Sequence, residues 1–110
     1  MRKLNQKDIE ILKKLAPEAE KSTQIEYRSI LPPVSMHYAA DEEDFESRLK
    51  KLSTQDLAYL ADRILDGSEC LLCISPEYAR PFLQALERHI SEETAERIRE
   101  LYRSSTGYEA

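Results

Sequence analysis

The sequence predicts an all-α fold: an irregular bundle of four to five short amphipathic helices, crossed by a long apolar non-helical strap at about residues 21–40. Three observations predict it. Apolar residues recur at i, i+3, i+4 and i+7 along most of the chain, a spacing that collects them on one helix face. Several of these stretches open on Asn, Asp or Ser and one closes on Gly, the usual start and stop signals of helices. Only two glycines, Gly67 and Gly107, occur in 110 residues, where average usage would supply about eight. Tight β-hairpins call for glycine, so all-β folds are disfavoured.

The first helix is predicted from about Gln6 to Ala16, with Asn5 as N-cap, Asp8 three residues on, and Ile9, Ile11, Leu12, Leu15 and Ala16 as its apolar stripe. Pro17 marks its end or a further turn. From Lys21 to Ala40 the apolar residues follow no helical spacing, and Pro32-Pro33 is expected to force extended backbone locally. The second helix opens at Asp41-Glu42-Glu43-Asp44, whose carboxylates suit a helix start, and continues through Phe45, Leu49 and Leu52. The third is the clearest: Ser53 caps, Asp56 sits at the capping-box position, Leu57, Leu60, Ala61, Ile64 and Leu65 form the stripe, and Gly67 stops it. Ser75-Pro76-Glu77 opens the fourth, with Ala79, Phe82, Leu83, Leu86 and Ile90 facing inward and Pro81 predicting a kink or a delayed start. Ser91 caps the fifth, carried by Ala95, Ile98, Leu101 and Tyr102. One domain is expected over residues 1–103, with residues 104–110 as a disordered tail.

Sixteen basic and twenty-one acidic side chains give a net charge of −5. That excess opposes a phosphate backbone, and no helix carries a basic stripe, so nucleic acid is not an expected partner. No run approaches the roughly 20 apolar residues of a membrane helix, and the charged start of the chain does not read as a signal peptide, so a cytoplasmic protein is expected. Too few glycines are present for a phosphate loop, a dinucleotide fingerprint or a nucleophile elbow. The acidic run at 41–44 lacks the central glycine and spaced ligands of a calcium loop, and helix capping explains it.

Cys70-Leu71-Leu72-Cys73 is the one recognisable short motif. In a reducing compartment its cysteines are expected as thiols or ligands rather than a structural disulfide, and burial beside Leu71, Leu72 and Ile74 is the plainest use for them. Two chemistries remain open. A zinc site would take Cys70 and Cys73 with His89, sixteen residues beyond, and a thiol-redox site would use the cysteine pair alone. His37 has Ser35 and Asp41 nearby in sequence, but no orienting partner for catalysis is legible. The function these features favour is a non-enzymatic interaction module with no cofactor, binding a protein partner or a second copy of itself. Its expected surface comprises helical faces and the apolar 25–38 segment, with Tyr27, Leu31, Val34, Met36, His37 and Tyr38 as contact residues. The alternative is a small metal-binding or thiol-redox protein built on Cys70 and Cys73.

Overall fold

A computed structural model describes residues 4–21 and 29–110, and among them every regular element is helical. The first helix, α1 (Gln6–Leu15), begins at a complete capping box. Asn5 Oδ1 accepts from the Asp8 N–H at 2.8 Å, and Asp8 Oδ2 accepts from the Asn5 N–H at 2.9 Å. Ile11, Leu12 and Leu15 face the core, while Ile9 sits at its edge. A 3₁₀ turn at Pro17–Lys21 follows.

The strap differs from the expectation. Leu31–Pro33 is a short helix, α2, that runs on into a π-helical turn at Val34–Tyr38. Pro32-Pro33 does not force extended backbone because the pair occupies the opening of a helix, where N–H groups have no intrahelical acceptor and the ring-fixed φ already suits the turn. Residues 22–28, which include Tyr27, lie outside the described residues.

The remaining helices follow the sequence pattern closely. Asp41 caps α3 (Glu42–Leu49) by accepting from the Asp44 N–H. Ser53 and Asp56 form the capping box of α4 (Thr54–Leu65), and Gly67 ends it with φ +84°, a conformation that L side chains rarely adopt. The helix α5 (Pro76–His89) begins at Pro76 and continues through Pro81 rather than restarting there. Pro81 has no N–H to give the Glu77 carbonyl, and Glu77 is exposed. Ser91 caps α6 (Glu92–Thr106). Ser104–Thr106, expected as part of a disordered tail, complete the last turn of α6 before Gly107 at φ +79°, with the Arg99 Nε–H donating to the Ala110 carbonyl at 3.0 Å.

Helix α5 is the centre of the bundle and packs against α3, α4 and α6, while α1 packs on α3. Ala79, Phe82, Leu83 and Leu86 of α5 are buried, and they join Phe45, Leu60, Ile98 and Tyr102 in one apolar cluster that includes Ile30, Leu31 and Val34. Arg48 ties the periphery together. It donates to the Leu15 and Tyr38 carbonyls, each at 2.9 Å, and forms a forked pair with Glu18. That guanidinium pulls the Glu18 carboxyl down to about 2.

Candidate functional sites

Among the described residues, a cleft and an exposed loop gather the side chains of chemical interest. The first is a cleft of about 280 Å³ bounded by α3, the turn into α4 and the outer face of α5. Its geometry follows from side-chain size. On α5, Pro81 and Ala85 lie one helical turn apart on the same face, and neither is long enough to fill the space opposite Leu49, Leu52 and Leu57. The apolar floor is therefore ringed by polar side chains. The side chains of Lys50, Arg88 and His89 are exposed at the rim and make no salt bridge or hydrogen bond to another described residue, against one acidic rim residue, Glu46. In a chain of net charge −5 this is a local excess of positive charge. The volume lies at the foot of the roughly 300–1,000 Å³ typical of small-molecule sites.

The second place is the loop between α4 and α5. Cys70 and Cys73 form a disulfide with a Cα–Cα distance of 6.1 Å. The expectation of free thiols or metal ligands is corrected here, and so is that of two buried apolar side chains. The Ile74 N–H bonds the Leu71 carbonyl at 3.2 Å, closing a tight turn. Its ends, Leu71 and Ile74, go into the core, so its middle residues, Leu72 and Cys73, face solvent, and Cys70 is half-buried. His89 is not brought to the pair, because it ends α5 while Cys73 precedes the start of that helix, roughly 20 Å of helix away at 1.5 Å per residue. Among the described residues no three His, Cys, Asp or Glu side chains are grouped to hold a metal ion.

The residues singled out in the 25–38 segment separate into core and surface. Leu31 and Val34 are fully buried, so they hold the bundle together and cannot meet a partner in the folded chain. Met36 is 67% exposed, His37 is exposed and Tyr38 is partly so. These three lie across α3 from the cleft: Arg48, which reaches the Tyr38 carbonyl, is two residues and so about 200° around the helix from Glu46 on the cleft rim. Ser35 is buried and its hydroxyl donates to the Pro32 carbonyl at 3.0 Å, so it is not assembled with His37 into a catalytic set.

Sequence reasoning missed the buried charges. Glu69, 5% exposed, accepts N–H bonds from Ile30 at 2.6 Å, Leu31 at 3.4 Å and Cys70 at 2.9 Å, which joins the disulfide loop to the start of α2. Burial raises its carboxyl to about 7, the three N–H donors hold it down only in part, and the nearby Asp8 charge adds to the rise. Asp8 is itself fully buried, paired with Arg63 at 3.1 Å and accepting from the Tyr59 hydroxyl at 2.9 Å. Burial would also raise Asp56, but Lys14, the Ser53 N–H and Lys7 outweigh it and hold that carboxyl well below its ordinary value. A local signal existed only for the two aspartates, as third residues of capping boxes; none marks Glu69 or Arg63 as buried.

No protein-family model, curated protein or solved structure matches this chain. Among the described residues no helix is long and apolar enough to cross a membrane.

Proposed function

We propose that this chain is an interaction module of the cytoplasm that holds an acidic segment of a protein partner in the α3–α4–α5 cleft, a binding role that calls for no chemistry at the cleft itself. The observation that carries this reading is the pairing of an apolar floor, Leu49, Leu52, Leu57 and Ala85, with the unpaired cations Lys50 and Arg88 and the His89 side chain beside them. An apolar side chain of the partner fills the floor and supplies the affinity, while carboxylates beside it meet the rim and set orientation and encounter rate. The small volume suits one anchoring side chain better than a cofactor. The same rim disfavours a basic partner, which gives the cleft selectivity by repulsion.

The test is a nuclear magnetic resonance titration of the isotope-labelled protein with a short peptide carrying one Leu or Phe between Asp and Glu residues. Shifts should concentrate at Lys50, Leu57, Ala85 and Arg88. Reversing charge at Lys50→Glu and Arg88→Glu together should weaken binding at least roughly tenfold at low salt. Shifts confined to Met36 and His37 would move the site to the other flank of α3. Shifts that grow with protein concentration before any peptide is added would make the occupant a second copy.

A further inference from the structure

The disulfide loop supports an activity independent of the cleft, which lies toward the other end of α5. A bridge that closes so short a loop removes little freedom from the unfolded chain, so it is poorly suited to holding a fold together. The loop is held by other means. Leu71 and Ile74 are buried, and the Tyr102 hydroxyl donates to the Ile74 carbonyl at 2.7 Å. The Ser68 and Glu69 N–H groups both bond the Arg63 carbonyl, at 2.8 and 2.9 Å, and the Glu69 carboxyl grips the start of α2. Breaking the sulfur–sulfur bond therefore leaves both cysteines in place, close enough to rejoin. Cys73 is exposed, Cys70 is half-buried, and exposed Leu72 offers an apolar contact beside the accessible sulfur.

We infer that Cys70–Cys73 is a redox-active disulfide that oxidises cysteine thiols of peptides or proteins, with Cys73 as the sulfur that is attacked. A substrate thiolate attacks Cys73 Sγ. The new bond joins substrate sulfur to Cys73, the bond to Cys70 breaks, and Cys70 leaves as a thiolate that takes a proton from water. A second substrate thiolate then attacks the substrate sulfur of this mixed disulfide, and Cys73 leaves as a thiolate. The substrate pair gives up two electrons and two protons, and the protein gains a dithiol. A disulfide of another molecule reverses the sequence and restores the bridge. Glu69 acts as a positioning residue, since its oxygens already accept the Ile30, Leu31 and Cys70 N–H groups.

The full chain in its oxidised form is mixed with a reduced two-cysteine peptide with Leu flanking the thiols, or with reduced glutathione, then quenched in acid and weighed by mass spectrometry. Oxidised peptide and reduced protein should appear together, and the peptide should react roughly tenfold faster than glutathione because Leu72 can seat it. Given the oxidised peptide instead, Cys70→Ser should accumulate a mixed disulfide on Cys73, releasing the peptide's other sulfur as a thiol, because no second cysteine remains to resolve it; Cys73→Ser should be labelled by a maleimide at Cys70 roughly tenfold more slowly than Cys70→Ser is at Cys73. Circular dichroism of the reduced protein should keep its helical signal. A bridge untouched by a large excess of either thiol overturns the inference, as does loss of helix on reduction or equal reactivity of the two cysteines. A glutathione rate matching the peptide's overturns the assignment of a peptide substrate.

Discussion

Replacing Glu69 by Gln should abolish a pH dependence of stability that runs opposite to ordinary acid denaturation. In the folded chain burial moves this carboxyl from 4.5 to about 7. Below about pH 4.5 it is protonated whether the chain is folded or not. Between 4.5 and about 7 the folded chain keeps the proton that the unfolded chain has lost, so rising pH favours unfolding; above about 7 both forms are ionised and the loss is complete. At about 1.4 kcal/mol per tenfold change, the whole loss amounts to about 3 kcal/mol. Glutamine preserves the shape and one of the two acceptor oxygens, and its NH2 in place of the other costs a pH-independent offset, but it cannot ionise, so the pH slope alone is diagnostic. The assay is urea unfolding of both proteins at steps from pH 5 to 8. Subtracting the curves removes the contributions common to both proteins. The native protein should lose about 2–3 kcal/mol relative to Glu69→Gln across that interval. A difference flat to within about 0.5 kcal/mol, or one that grows in favour of the native protein as pH rises, would refute the argument that burial outweighs the three N–H donors.

Two further stability predictions come from the same core. Arg63→Ala removes the 3.1 Å ion pair from the buried Asp8 carboxylate and should cost about 3–5 kcal/mol in urea unfolding, whereas the double change Asp8→Asn with Arg63→Met should recover most of the loss because both charges of the pair are removed together. A cost below about 1 kcal/mol for Arg63→Ala would mean that the pair is solvated. Leu60 is fully buried, so Leu60→Ala should cost about 2–5 kcal/mol by loss of burial and creation of a cavity. Thermal unfolding alongside the denaturant titration would check it, and a loss under about 0.5 kcal/mol would show that α4 presents another face to the core.

The sequence alone determined the helices that rest on local chemistry. Asn5, Asp41, Ser53 and Ser91 each accept the N–H three residues on, Gly67 takes the left-handed stop, and the 3.6-residue apolar period places Leu57, Leu60, Ala61 and Ile64 on one buried face. These features act over a single turn and can be read from neighbouring residues. Local preference misled at Pro32-Pro33, where two prolines that discourage a helix interior are at home in a helix opening, whose N-cap Ile30 is held by a carboxylate thirty-nine positions further along. Everything of functional interest depends on such distant encounters. The cleft exists because α5 brings Pro81 and Ala85 opposite Leu49 and Leu57. Leu31 and Val34 became core because α2 folds inward, and Cys73 reached the surface because its turn sends Leu71 and Ile74 into the interior instead. Burial and the approach of charges depend on which helices meet, and that is decided only when the whole apolar core closes.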